Sequence, residues 1–167
     1  MIKSKITVLN TGGTFNKRYN PLKGELEVPR DNIALDEIIQ SCFNIDFEII
    51  NIISKDSLEI VDEDRDILVE TIKKLKNENI IIVHGTDTID ITAKYLSDRI
   101  ENKKIVLTGA MVPMSIKKVE ATLNFAQAIG FLNASIQNGV YISMHGCVTN
   151  YAKLLKNRQL GQFLIEE

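Results

Sequence analysis

The feature that most constrains this chain is a rhythm of short, β-branched apolar runs separated by stretches of helical period. The runs fall at residues 5–10, 47–53, 80–84, 104–107 and 140–144. Between them, residues 32–41, 61–77, 89–99 and 117–133 carry apolar side chains at helical spacing, as in Ile67, Leu68, Val69, Ile72 and Leu75. A strand apolar on both faces cannot leave either face in water. Strand and helix in alternation therefore predict an α/β fold, with an open, mostly parallel sheet flanked by helices on both faces, a Rossmann-like three-layer sandwich. Acids at Asp87 and Asp90 open the third helical segment, where the macrodipole favours them. The stretch 11–31 reads as one long irregular loop, and a compact domain rarely keeps so long a loop without using it. After residue 150 the pattern fades, apart from a candidate edge strand at 162–165.

At 167 residues the chain has the length of one domain. Its formal charge of −2, with acids and bases interspersed, offers no basic surface for nucleic acid or an anionic membrane. The apolar run after the first five residues is too short for a signal-peptide core, and no later run approaches a membrane span. Cys42 and Cys147 lie far apart and read as reduced, buried thiols. Two histidines without Cys/His spacing make no zinc site. A cytoplasmic, metal-free protein is the expectation.

Open parallel sheets bind ligands beyond the carboxyl ends of their strands. Here those ends read Thr11-Gly12-Gly13-Thr14, Asp56-Ser57, His84-Gly85-Thr86-Asp87-Thr88 and Thr108-Gly109-Ala110-Met111. Small, hydroxylated and glycine residues thus crowd one rim. Paired glycines permit positive φ and close backbone approach, so Gly12 and Gly13 can present Thr14 at a sharp turn. Taken alone, the Thr-Gly-Gly-Thr string equally suits a structural turn. The GxGxxG and GxxxxGK[ST] spacings of phosphate-binding loops are absent. A threonine hydroxyl needs a base or cationic neighbour to act as a nucleophile, and Thr86, Asp87 and a lysine could supply that group. Asp87 equally suits a helix N-cap.

The three strings around Thr14, Thr86 and Ala110 resemble, in order and spacing, the signature segments of the bacterial-type L-asparaginase/glutaminase family. The resemblance covers nearly all of this chain but only the N-terminal domain of a typical member. Residues 1–167 are accordingly read as a single N-terminal-like domain, with the C-terminal domain absent. The resemblance implies that Thr14 is the nucleophile, and that Thr86 and Asp87 are the second threonine and its aspartate. It puts the family's lysine on Lys156 by gap-free alignment, with Lys153 as the alternative. It also implies that Asp56 and Ser57 bind substrate, Ser57 at the α-carboxylate, with Ser54 the other register. The backbone at Ala110 is implied to receive the leaving amide. Asn124 sits at a family asparagine and is assigned no chemistry. The family carries a catalytic tyrosine on the loop after the nucleophile, usually further downstream than Tyr19. Tyr19 is thus either its replacement or an ordinary loop aromatic.

The activity so implied is hydrolysis of the side-chain amide of asparagine, or of a related small amide, through an acyl-threonine, with no cofactor. The alternative is a non-catalytic binding or regulatory module built on the same domain. Two departures stand out. Leu58 occupies a position that is usually polar, and no C-terminal domain is present to lend an acid to the substrate ammonium. Uncovered surface from that missing domain predicts a homo-oligomer, a dimer or higher.

Overall fold

The computed structural model describes residues 3–134 and 136–166. In chain order the strands are β1 (Ser4–Gly12), β2 (Arg18–Asn20), β3 (Glu25–Glu27), β4 (Ile45–Lys55), β5 (Asn79–Val83), β6 (Lys104–Thr108), β7 (Gly139–Met144), β8 (Cys147–Asn150), β9 (Leu154–Asn157) and β10 (Gln162–Ile165). The helices are α1 (Ile33–Ile39), α2 (Asp62–Lys74), α3 (Ile89–Ser97) and α4 (Lys118–Asn133).

The central sheet has the order β4-β1-β5-β6-β7-β8. All its pairings are parallel except β7 with β8. The chain moves from β1 outward to β4, then returns to β5 on the other side. The carboxyl ends of β1 and β5 therefore flank a topological switch point, where such sheets open a crevice.

Alternation within the buried strands builds two cores. Ile80 and Ile82 face one side with Leu68, Ile72, Ala93 and Leu96 of α2 and α3. Ile81 and Val83 face the other with Leu35 and Ile38 of α1 and Ala121, Phe125 and Ala128 of α4. All of β5 from Ile80 onward is buried, which is the physical meaning of its unbroken apolar run. Helix α2 begins with Asp62, Glu63 and Asp64 and ends with Lys73 and Lys74, each charge at the favourable end of the dipole.

Three expectations need correction. The stretch 11–31 is not one irregular loop: residues 18–27 form the small antiparallel hairpin β2–β3. The strand at 162–165 exists, but it pairs with β9 in a separate two-stranded sheet instead of edging the main one. Cys42 and Cys147 are free thiols as read, yet only half-buried. Among the described residues no helix is long and apolar enough to cross a membrane.

Candidate active site

The strand β1 ends in a turn fixed from several directions at once. Gly12 has φ +103° and Gly13 has φ +71°, values that side-chain-bearing residues avoid. A Cβ on Gly13 would lie 2.5 Å from the Gly85 backbone, and one on Gly12 would lie 2.6 Å from the Lys55 carbonyl oxygen. Gly85 in turn abuts Ser57, whose Cβ would be 2.5 Å from an added methyl. Gly109 likewise abuts the His84 carbonyl oxygen, which an added Cβ would overlap, so four rim segments are in direct contact. Thr14, Ser57 and Thr86 follow or form those contacts, so the glycines bring them together.

Below the turn lies a buried asparagine network that sequence reasoning missed. Asn16 Nδ2 donates to the Gly12 carbonyl at 2.6 Å and to Asn10 Oδ1 at 2.9 Å. Asn10 Nδ2 donates to Asn16 and Asn32, both at 3.1 Å. The Thr11 hydroxyl donates to the Val83 carbonyl at 2.8 Å, tying β1 to β5. Phe15 is fully buried in the α1/α4 core, with its ring 6.3 Å from that of Phe125. Thr14 itself is half-buried, and its hydroxyl has no hydrogen-bond partner among the described residues. The scaffold is saturated, and the hydroxyl it carries is free.

On the neighbouring strand end, Thr86 is nearly buried. Its Oγ1 accepts from Lys156 Nζ at 2.8 Å and donates to the Met111 thioether at 3.3 Å. Lys156 Nζ also meets Asp87 Oδ1 at 2.8 Å, and its side chain is only 12% exposed. A thioether is a weak acceptor, so the Thr86 proton is easily redirected. Lys156 reaches the rim because β8 turns back antiparallel to β7 at His145 and Gly146, both at positive φ. The hairpin β9–β10 then docks beside Thr86. The alternative Lys153 sits exposed in a one-turn 3-10 helix, whereas Lys156 lies on β9.

Asp87 does not cap α3. That helix starts at Ile89, with Thr88 at its N-cap position and no side-chain cap. The Asp87 N–H instead donates to Ser57 Oγ at 3.3 Å, and Arg158 donates to the Asp87 carbonyl at 2.7 Å. Ser57 is buried, its backbone carbonyl accepting from Thr88 Oγ1 at 2.8 Å. Ser54 lies within β4, upstream of that turn. Asp56 caps the Ser57 turn and forms an ion pair with Lys17 at 2.6 Å. That hydrogen bond holds the Asp56 carboxyl below its ordinary range, and the charge of Lys156 acts in the same direction.

The fourth segment is clamped from behind. Asn124, fully buried on α4, donates to the Gly109 carbonyl at 3.0 Å, and Glu120 accepts from Met111 and Val112 N–H at 2.8 and 3.1 Å. Ala110 sits between these clamps with its side chain in the core. His84 is buried completely: Thr92 Oγ1 and the Gly85 carbonyl occupy its two ring nitrogens, each at 2.8 Å. Burial lowers its pKa to about 4, so it is a neutral strut between core and rim. Tyr19 stands apart. It lies on the hairpin β2–β3, 63% exposed.

Comparison with known proteins bears on the family and the fold. A family model described as "Asparaginase, N-terminal" matches residues 5–161. The chain is 32% identical over 150 residues to a glutamyl-tRNA(Gln) amidotransferase subunit of Methanococcus maripaludis, covering 84% of this chain and 35% of that protein. It is 29% identical over 161 residues to an L-asparaginase of Thermococcus kodakarensis, covering 94% of this chain and 49% of the relative. The solved thermostable L-asparaginase from Thermococcus kodakarensis superimposes with a TM-score of 0.81 at 27% identity, over 96% of this chain and 51% of that one. A probable cytoplasmic L-asparaginase from Campylobacter jejuni gives 0.80 at 26% identity, over 96% and 52%. The chain thus spans between about a third and about half of the length of these relatives.

Proposed function

The chain belongs to the asparaginase family, and on that premise we propose that it hydrolyses the side-chain amide of asparagine or a related small amide through an acyl-threonine on Thr14. The observation that carries this reading is the contact of Lys156 Nζ with both Thr86 Oγ1 and Asp87 Oδ1 at 2.8 Å, beside a turn that holds Thr14 with its hydroxyl unengaged. A largely shielded lysine held against a second threonine favours turnover over binding alone.

Thr14 Oγ attacks the amide carbon, and its proton passes toward the Thr86–Lys156 pair, which relays it to the leaving nitrogen. The carbon–nitrogen bond breaks and ammonia departs. Water then attacks the acyl-threonine, returning the Thr14 hydroxyl and releasing the acid. Asp87 fixes the lysine, and Lys156 lowers the cost of moving a proton through Thr86. The oxyanion would develop near Thr86, three residues before the start of α3. Backbone N–H groups of the closely packed rim segments are the donors available for it. Ser57 and Asp56 form the end of the site that holds the non-reacting part of the substrate. Ala110, clamped through its neighbours, receives the amide. A proton path through Tyr19 has less support, because that side chain is largely exposed.

The test is mass spectrometry after incubation with an electrophilic asparagine analogue, alongside ammonia release from asparagine and glutamine. A covalent adduct on Thr14, lost together with turnover in a folded Thr14→Ala variant, is the expected result. Unmodified protein that still binds ligand would identify a binding module instead.

A further inference from the structure

The hairpin β9–β10, which carries Lys156, is a separate two-stranded sheet that shares no strand pairing with the main one. The reach of the lysine to Thr86 therefore depends on how that hairpin is fastened, and its register shows where. The Glu166 N–H donates to the Lys153 carbonyl at 2.9 Å, which closes one end of the ladder. Hydrogen-bonded and non-hydrogen-bonded pairs alternate from there, so Lys156 and Phe163 face each other in a non-hydrogen-bonded pair. The Phe163 N–H consequently points away from β9, and it donates to His145 Nδ1 at 3.1 Å. Among the described residues, no other backbone N–H of β9 or β10 bonds to the rest of the protein. The Phe163 ring is buried and stands edge-on to the imidazole, with centroids 5.8 Å apart.

His145 is itself held firmly. Among the described residues it is the only one besides glycines at positive φ, 50°. Its N–H donates to Asn124 Oδ1 at 2.9 Å, which ties the β7–β8 turn to α4. Nε2 lies 3.1 Å from Glu120 Oε1, and the same carboxylate accepts from the Met111 and Val112 N–H groups. The His145 and Glu120 side chains are only 22% and 19% exposed. An imidazole nitrogen has a single lone pair, and a backbone N–H can only donate. Nδ1 must therefore be bare, and the ring carries its proton on Nε2, facing the carboxylate.

One ring thus joins the two sides of Thr86. Through Phe163 it holds the strand pair that carries Lys156, whose Nζ is 2.8 Å from Thr86 Oγ1. Through Glu120 it holds Met111, whose thioether accepts from the same hydroxyl at 3.3 Å.

We propose that His145, in its Nε2–H form, is the positioning residue that sets Lys156 against Thr86. It acts through Phe163 and the β9–β10 ladder, not on the reacting atoms. Its bearing on kcat rests on the amide-hydrolase reading, and its hold on the hairpin does not.

Two variants of the intact protein separate the anchor from the bulk of the ring. His145→Gly deletes the ring and leaves a residue at ease with positive φ. His145→Asn puts its Oδ1 where Nδ1 stood, as an acceptor for the Phe163 N–H, and asparagine also tolerates that backbone. In the wild-type protein, nitrogen magnetic resonance of the ring is expected to show Nδ1 bare and coupled across the hydrogen bond to the Phe163 amide. His145→Gly is expected to speed both Phe163 amide exchange and acetylation of Lys156 by acetic anhydride, each by about tenfold or more. Its kcat is expected to fall about 10- to 100-fold while KM moves less than about threefold, as for a displaced group that acts in the transition state. His145→Asn is expected to return exchange, acetylation and kcat to within about threefold of wild type. A proton on Nδ1 in the wild-type protein overturns the proposal, as do unchanged exchange and acetylation in His145→Gly. So does an asparagine variant as poor as the glycine one, or an unaltered kcat in a variant whose hairpin has loosened. If His145→Gly does not fold, the wild-type ring and the asparagine variant decide the matter. Absence of any amide cleavage, with exchange and acetylation responding as expected, would sink the hydrolase reading and leave the anchor standing.

Discussion

Two neighbouring stretches of the chain, the Thr14 turn at 11–16 and the hairpin at 18–27, are built on opposite principles. The turn is over-determined. Two glycines at positive φ, a buried asparagine pair, a buried phenylalanine and backbone contacts to β4 and β5 all constrain the same six residues. The hairpin rests on two three-residue strands and on partly exposed ion pairs, Arg18–Asp31 at 2.7 Å and Lys23–Glu27 at 2.9 Å. Such pairs contribute little, roughly 0–1 kcal/mol each. Rigidity is concentrated under Thr14, as the nucleophile role proposed for it would require. The surface beside it has no such duty and is held loosely.

Gly13→Ala attacks the rigid side most directly. The new methyl meets the Gly85 backbone at 2.5 Å and the residue must hold φ +71°, with neither side able to yield cheaply. A loss on the order of 3–5 kcal/mol is expected, read as a shifted urea midpoint together with loss of turnover. A near-neutral result would mean that the turn is less constrained than the hairpin contrast requires. Lys156→Met tests the chemistry proposed for the rigid turn. A fall in kcat of about 10²- to 10³-fold with little change in ligand affinity is expected, since the role belongs to the transition state. Equal loss in Lys153→Met, with Lys156→Met silent, would move the proton path to the other lysine.

His84 gives the rigid side a pH signature. Its folded pKa is about 4, below the unfolded value of about 6.5. Its contribution to stability is therefore complete above pH 6.5. It declines as pH falls toward 4, because the unfolded chain takes up the proton first. The total decline is about 3 kcal/mol. Nuclear magnetic resonance of the His84 ring is expected to find no titration between pH 7 and 5, and a midpoint near 6.5 would contradict it. The smallest effect is on the loose side. Tyr19→Phe is expected to lower kcat less than tenfold. A loss of a hundredfold or more would mean that the hairpin closes over the site and that the contrast between the two stretches disappears when substrate is bound.

Legibility followed the same divide. The sheet could be read from sequence because β5 and β6 have no polar face. The rim could be read because glycine and threonine at strand ends encode backbone geometry locally. The hairpin β2–β3 escaped because three-residue strands carry no period. Asn10 and Asn16 looked like ordinary loop polarity, and nothing in one sequence says that an asparagine is buried against another. Asp87 suited a helix cap as well as the threonine–lysine group, and the start of α3 at Ile89, with contacts to Ser57 and Lys156 30 and 69 positions away, removes the cap reading. The opposition of Lys17 and Asp56 was invisible for a similar reason, since it joins residues 39 positions apart.

The approach of Lys156 to Thr86 across 70 residues carries a kinetic consequence. Closing a loop of that length costs entropy that only the finished sheet can repay, so the contact belongs late in folding. Strands β1 and β5, and with them the Thr14 turn, need nothing from the last dozen residues to pair. The chain consequently acquires its sheet before its rim is complete. A partly folded molecule with a completed Thr14 turn still lacks the cation beside Thr86, and under the proposed mechanism it is inactive until the final hairpin arrives.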